Sequence, residues 1–275
     1  MSNSLQGRPE KTSRLFYIDH LRVTLVILVL LHHVAAVYGA AVPFYYVEPP
    51  FTDARAFQIL LVFMLTNQGF FMGVLFFLAG YVTPGSYDRK GATSFLKERV
   101  FRLGIPLILF LFVLNPVTSI GYYLMPDYIT GITTPLTWQE YPSMIGLGPL
   151  WFVAMLLVFG FGYTAWRLLT RSRLSPSTSR FRRISYIGIL LFAVGLAAIS
   201  YLLRMIVPLG KSILGFPTLA YLPQYLSFFV LGIMAYRKNW LDTLATSKGI
   251  VGFAAFSTRA VVSAHSCPAT VTPSI

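Results

Sequence analysis

Two adjacent histidines, His32 and His33, lie in an otherwise apolar stretch that reads LLHHVAAVYG. An ionisable side chain inside a membrane-spanning helix is a functional candidate by default, because hydrocarbon offers its polar atoms no partner. Arg22 precedes His33 by eleven residues, which on an α-helix leaves about 20° of rotation and roughly 16 Å of rise. His32 points about 80° away from that shared face. Helical geometry therefore selects His33, on the face that it shares with Arg22, as the functional candidate, and it predicts a packing or supporting contact for His32.

Two amides in the next apolar segment, Asn67 and Gln68, fall at the same predicted depth as His33. Counted inward from Ala56, they lie about 16 to 18 Å from the start of the segment. A neutral amide at that depth either orients an imidazole or binds a polar substrate, or it joins two helices by hydrogen bonding. The sequence favours helix packing for Asn67 and leaves both roles open for Gln68.

A pair of arginines, Arg99 and Arg102, precedes the third apolar segment in SFLKERVFRLGIPLILF. Residues three apart lie on the same side of a helix. Two guanidinium groups at a membrane surface can hold phosphate oxygens through bidentate hydrogen bonds. Arginines in front of a span are also ordinary topology anchors, so the spacing leaves both interpretations open. The arginines of segment 167–183 are predicted to be anchors only.

Apolar helices must position these residues, and the composition predicts such helices. The chain of 275 residues is 56% hydrophobic and 11% charged, about half the charged share of a typical soluble domain. Its apolar blocks have roughly the 18 to 25 residues that cross a bilayer, so the sequence predicts an all-α, polytopic transmembrane helix bundle with about six to seven spans. The blocks are about 16–39, 57–81, 103–125, 150–169, 184–207 and 213–236.

The net charge of +13 indicates membrane orientation rather than nucleic-acid binding. If the N-terminus is cytoplasmic, all 22 lysines and arginines except Arg55, Arg204 and Lys211 fall in the N-terminal segment, the loops 82–102 and 167–183, or the tail. The positive-inside rule predicts this asymmetry. We predict a multi-pass integral membrane protein with a cytoplasmic N-terminus, no nucleic-acid partner, and contacts between its basic loops and anionic membrane lipid.

The chain divides into three predicted regions. Residues 1–14 form a polar cytoplasmic tail, residues 15–240 form the membrane domain, and residues 241–275 form an atypical tail. The apolar run that begins at Gly249 is too short to span a bilayer, so the membrane domain is predicted to be C-terminally incomplete. The single cysteine, Cys267, excludes an intramolecular disulfide and a cysteine-based metal site. We predict no metal ion and no permanently bound cofactor.

The opening stretch RLFYIDHLRVTLVILVLLHHVAAVYG resembles the first helix of the integral-membrane acyltransferase-3 family. That family's Arg-x10-His motif falls on Arg22 and His33, and its Arg-x-x-Arg motif falls on Arg99 and Arg102. FFLAGY is similar to a further family element, with alanine in place of a frequent serine, and the Leu-Trp-Phe element includes Trp151. The similarity covers about residues 14–240, and it is closest to branches that include glucan succinyltransferases.

The resemblance implies an O-acyltransferase. Such an enzyme moves an acyl group, acetyl or succinyl, from a cytoplasmic acyl-CoA co-substrate to a hydroxyl of a carbohydrate, lipid-linked or other cell-envelope acceptor. Arg99 and Arg102 would hold the donor's phosphates, and His33 would act as general base. Arg22 would bind a phosphate or stabilise charge on the thioester carbonyl. The predicted supporting residues are Gln68, Asn67, His32 and Trp151.

Two other interpretations compete with an active acyltransferase. An inactive, truncated acyltransferase fits the short C-terminus, because the family usually has more spans than the blocks seen here. A small-molecule transporter is less favoured, because transporters often show inverted repeats and broken helices. We find no internal repeat, and no aspartate or glutamate falls deep in a predicted span.

Overall fold

Helices form nearly all of the chain that the structure describes. The computed structural model describes residues 16–39, 45, 54–170, 186–207, 216 and 219–241, so the predicted tail 1–14 and residues 242–275 lie outside it. In the described ranges every regular element is helical, which confirms the all-α prediction. The α-helices are α1 (Phe16–Gly39), α2 (Ala54–Arg99), α3 (Ile105–Leu109), α4 (Asn115–Leu124), α5 (Asp127–Thr130), α6 (Tyr141–Met144), α7 (Trp151–Thr170), α8 (Tyr186–Ile206) and α9 (Leu222–Arg237). The π-helical turns are Val100–Gly104 and Phe110–Leu114, and the 3₁₀ turns are Trp138–Glu140, Gly148–Leu150 and Leu219–Tyr221.

Several of these helices are long and apolar enough to cross a membrane. Within the described residues, four helical stretches meet this criterion: Ile18–Tyr38, Arg55–Leu124, Trp138–Thr170 and Ile187–Ile206. α9 has 16 residues, fewer than the roughly 20 that a span needs, and much of the start of the predicted block 213–236 lies outside the described residues. The predicted polytopic helix bundle is confirmed.

Gly91 turns the chain back between two limbs of α2. Its backbone has φ 75° and ψ 169°, a combination that residues with a Cβ atom rarely adopt. Side chains on the two limbs meet across this turn: Arg99 hydrogen-bonds Thr83, and Lys90 forms an ion pair with Glu98. The prediction of a loop over 82–102 was therefore wrong. Both limbs stay helical there, because a change from apolar to polar residues marks the edge of the hydrocarbon and not the end of a helix.

Two prolines explain the π-helical turns of the third span. Each turn lies just before a proline, Pro106 or Pro116. Proline lacks an N–H donor and its ring crowds the carbonyl four residues earlier, so the backbone widens at those points. The hydroxyl of Tyr141 donates a hydrogen bond of 2.6 Å to the carbonyl of Phe112, which lies four residues before Pro116. A carbonyl freed in a membrane needs such a partner, and this bond fastens the 126–149 segment to the span.

α2 and α9 cross at two glycines, Gly80 and Gly232. A Cβ atom on Gly80 would collide with the carbonyl oxygen of Phe229, and one on Gly232 would collide with that of Phe77. Small residues at a crossing allow two membrane helices to bring their backbones together. This contact builds the centre of the bundle.

An aromatic cluster fills the space beside that crossing. Phe76 is fully buried and stacks on Tyr225, with ring centroids 4.8 Å apart. Trp151 stacks on the same tyrosine at 5.3 Å. Stacked aromatic rings contribute beyond their buried area, so α7 is held firmly against α2 and α9. Trp151, a predicted supporting residue, thus belongs to the packing of the core.

Tyr45 joins the described part of the 40–53 segment to the C-terminal half of the third span. Its hydroxyl donates to the side-chain oxygen of Asn115, whose amide donates to the carbonyl of Met144 at 2.6 Å. The backbone N–H of Tyr45 donates to the hydroxyl of Tyr122 at 3.1 Å. Burial raises the pKa of Tyr45 to about 12, so its hydroxyl remains a donor at neutral pH. We call this side of the bundle the loop end.

The opposite side of the bundle, the basic end, carries Gly91 and a charged cluster around Asp88. The Asp88 carboxylate lies 3.1 Å from Arg167 on α7 and 2.7 Å from Arg237 on α9. Arg237 also donates to the hydroxyl of Tyr163 at 3.1 Å. Both arginine side chains are largely buried, and a buried charge depends on its counter-ion. Asp88 therefore ties three helices together.

Replacing Asp88 with asparagine should lower the free energy of unfolding by about 2 kcal/mol, because two enclosed guanidinium groups lose their shared negative partner. Thermal unfolding of the purified chain in detergent measures this loss. The matched control is Asp127→Asn, which removes an exposed carboxylate at the loop end. Equal melting temperatures for the two variants would contradict the role of Asp88 as an interhelical tie.

Candidate active site

α1 presents two different faces to the protein. Ile18 and Leu25 are buried against the bundle. On the neighbouring face, Arg22 and Val26 line a large cavity. Because α1 is one continuous helix, the face that carries Val26 continues to His33, about 10 Å further along the axis. His33 therefore lies beyond the cavity, on the side toward the loop end.

His32 points toward α2 and contacts the buried amide of Asn67. The Asn67 amide nitrogen donates to the carbonyl of Leu28 at 3.1 Å and lies 3.5 Å from Nδ1 of His32. The His32 ring stacks on Phe71 at 5.2 Å and meets the ring of His33 edge-on at 5.9 Å. Asn67 thus joins α1 to α2, and its contact is with His32 rather than with His33.

The cavity beside α1 lies at the basic end and has a volume of about 840 Å³. It is bounded by α1, both limbs of α2, the first π-helical turn, α7 and α9. We call it the basic cavity, because five cationic side chains and one carboxylate face it. Those residues are Arg22, Arg89, Lys90, Arg99, Arg102 and Glu98, and the apolar wall includes Val26, Leu75, Leu78, Ala79, Val82, Phe152 and Leu156.

Arg99 reaches into the bundle. Its side chain is half-buried, and its Nη2 donates to the hydroxyl of Thr83 at 2.7 Å. The guanidinium lies 4.7 Å from the centre of the Phe95 ring, within the range of a cation–π contact. The orientation of the Arg99 guanidinium is therefore fixed before a ligand binds.

Arg102, in contrast, lies at the surface. Its side chain is 76% exposed, and its Nη2 lies 3.0 Å from Glu98. The other oxygen of Glu98 pairs with Lys90. The carboxylate thus bridges two cations across the turn at Gly91, in a position that an anionic ligand group could also take.

The structure gathers three of the four predicted catalytic and donor-binding residues at one cavity. Arg22, Arg99 and Arg102 all line the basic cavity. Arg22 comes from α1, whereas Arg99 ends the second limb of α2 and Arg102 lies in the π-helical turn that continues it. His33 lies on the same helix as Arg22 but does not line the cavity. Gln68 is half-buried, one residue after the amide that contacts His32.

The sequence alone did not single out four further residues of this cavity. Arg89, Lys90 and Glu98 come together because the chain reverses at Gly91, and Tyr236 arrives from α9. The signal for the first three was a glycine between two charged helical segments, which is typical of a helix end. For Tyr236 the sequence gave no such signal, because its place depends on the α2–α9 crossing.

Comparison with known proteins identifies the family of the chain that forms this cavity. A family model described as an acyltransferase domain, of the acyltransferase-3 type, matches residues 15–264. The chain belongs to the acyltransferase-3 family. Arg22, His33, Arg99 and Arg102, which were assigned from that family's motifs, lie within the matched range of this acyltransferase-3 protein.

Curated relatives of this acyltransferase-3 chain include the glucans biosynthesis protein C of Escherichia coli O17:K52:H18, of Escherichia coli K12 and of Shigella dysenteriae serotype 1. Each is 24% identical in a match of 255 aligned residues, and the match covers 87% of this chain. The chain spans 62% of the length of these relatives. No solved structure matches this acyltransferase-3 protein.

Proposed function

We propose that this protein is an integral-membrane O-acyltransferase that transfers an acyl group from an acyl-CoA donor to a carbohydrate hydroxyl. The observation that carries this proposal is the basic cavity, where Arg22 of α1 meets Arg99 and Arg102 from the second limb of α2 and the π-helical turn after it. Phosphate groups are the ligands that such a set of guanidinium groups favours. Membership of an acyltransferase family supports a phosphate-bearing acyl donor over other anions.

The carbohydrate acceptor rests on the relatives, which are named for glucan biosynthesis. The donor side rests on the charge distribution. Nearly all lysines and arginines outside the spans lie on the side of the N-terminus, and the positive-inside rule places that side in the cytoplasm. The basic cavity then opens where cytoplasmic acyl-CoA is present.

The reaction is a direct transfer between the thioester and the acceptor. The acceptor oxygen attacks the thioester carbonyl while His33 takes the hydroxyl proton as general base. The new C–O ester bond forms, the C–S bond breaks, and the leaving thiolate takes up the proton that His33 had removed from the acceptor. With the phosphates in the basic cavity, the donor's flexible arm runs along the Val26 face of α1 toward His33.

The geometry favours one of the two roles considered for Arg22. Arg22 lines the basic cavity, and His33 is roughly 16 Å further along the same helix. A thioester carbonyl next to His33 is therefore out of reach of the Arg22 guanidinium. We assign Arg22 to a donor phosphate rather than to the carbonyl.

Membrane vesicles that contain the protein test this function. We expect radiolabel to pass from acetyl- or succinyl-CoA to a glycan fraction, and the better donor identifies the acyl group. Vesicles with His33→Ala are the control. Absence of transfer from both donors, in vesicles that contain folded wild-type protein, would contradict the proposal and favour an inactive acyltransferase fragment.

Replacing Glu98 with glutamine should lower the KM for the acyl-CoA donor several-fold. The carboxylate forms ion pairs with Lys90 and Arg102, and without its charge both cations are available to the donor phosphates. Steady-state kinetics at varied donor concentration measure the effect. Glu140→Gln at the loop end is the control, and a higher KM for Glu98→Gln would instead mean that Glu98 orients the cations.

A further inference from the structure

Arg99 differs from its predicted partner Arg102 because its guanidinium makes specific contacts inside the bundle. One amino group of its guanidinium donates to the hydroxyl of Thr83 at 2.7 Å. Thr83 is fully buried, and its hydroxyl in turn donates to the carbonyl of Ala79 at 2.7 Å. Both groups lie where the two limbs of α2 run side by side.

The direction of these two hydrogen bonds is fixed by chemistry. A threonine hydroxyl has one proton and two acceptor lone pairs. At Thr83 the proton is used on the carbonyl of Ala79, so a lone pair faces Arg99. An arginine has donors only, so the Thr83 hydroxyl accepts the hydrogen bond. Because the guanidinium is planar, this bond also fixes the orientation of its remaining N–H donors.

The stem of Arg99 is fixed as well, by a gap in α7. A Cβ atom placed on Gly160 would lie 3.0 Å from Cδ of Arg99, which is closer than ordinary van der Waals contact. The Arg99 side chain therefore passes α7 at Gly160, where that helix has no side chain. Gly162, two residues later, has nothing within 4 Å of such a Cβ atom.

We propose that Thr83 is a positioning residue that holds the Arg99 guanidinium at the wall of the basic cavity, with Gly160 giving room for its stem. The proposal rests on the proposed role of that cavity in binding the donor's phosphates. A fixed guanidinium loses little conformational freedom when it binds an anion. Thr83 thereby sets the affinity for the donor without touching it.

Binding of coenzyme A to the purified full chain in detergent tests this proposal. Thr83→Val keeps the shape of the side chain and removes the acceptor, so we expect coenzyme A to bind about tenfold more weakly, in line with the loss of a hydrogen bond to a charged group. Thr83→Ser keeps the hydroxyl and should bind as the wild type does. In an Arg99→Met background, Thr83→Val should cause no further loss.

Gly160→Ala and Gly162→Ala provide a matched pair on α7. The first should weaken coenzyme A binding, because its new methyl group meets Arg99, and the second should leave binding unchanged.

Three results with the Thr83 variants would overturn the proposal. They are equal affinity of Thr83→Val and wild type, weak binding by Thr83→Ser, and an undiminished effect of Thr83→Val in the Arg99→Met background. A wild-type chain that binds no coenzyme A would also overturn it. A chain that binds coenzyme A with these dependences but transfers no acyl group supports the positioning role and contradicts only the proposed activity.

Discussion

Replacing His33 with alanine should reduce acyl transfer by about 100- to 10,000-fold, the usual contribution of a general base. The acceptor hydroxyl would lose the group that takes its proton, while donor binding in the basic cavity would remain. We therefore expect kcat to fall and the KM for the donor to change little. Steady-state transfer of labelled acyl groups in membrane vesicles, at varied donor concentration, separates these two quantities.

His32→Ala is the matched control, because it removes the same side chain one residue earlier. His32 contacts Asn67 and stacks on Phe71, so its loss should lower the melting temperature. Transfer per folded molecule should stay close to that of the wild type. Equal losses of transfer in the two variants, after correction for the folded fraction, would contradict the assignment of His33 as the base.

The assignment of α1 shows what a sequence can predict about such a site. Helical geometry places Arg22 and His33 on one face without information on neighbouring helices, and α1 is one continuous helix across both residues. The partner of His32 could not be predicted in the same way. The contact with Asn67 depends on how α2 lies against α1, which is set by packing along both helices.

The basic cavity shows the opposite case. The spacing of Arg99 and Arg102 predicts a shared face, yet one side chain lies half-buried against Thr83 and the other is largely exposed. The difference comes from the turn at Gly91, which brings the second limb of α2 back along the first. Hydrophobic length predicts where a span leaves the hydrocarbon, but it carries no information on where the helix itself reverses.

Replacing Arg99 with alanine should raise the KM for the acyl-CoA donor by about ten- to 100-fold, which corresponds to the loss of one hydrogen-bonded charge contact. Arg102→Ala should raise it only a few-fold, because an exposed arginine paired with Glu98 contributes little. Initial rates at varied donor concentration give both values. Arg204→Ala is the control, because that exposed arginine does not line the basic cavity.

Arg99→Lys sharpens the comparison, because it keeps the charge and removes the planar fork. An ammonium group cannot both bond Thr83 and offer a parallel pair of donors to a phosphate. We therefore expect Arg99→Lys to resemble Arg99→Ala, whereas Arg102→Lys should resemble the wild type. If Arg99→Lys restores donor affinity, the cavity needs only positive charge at this position. If Arg102→Ala raises the KM as much as Arg99→Ala, the two arginines contribute equally to donor binding. The fixed orientation of Arg99 would then add nothing to the donor affinity.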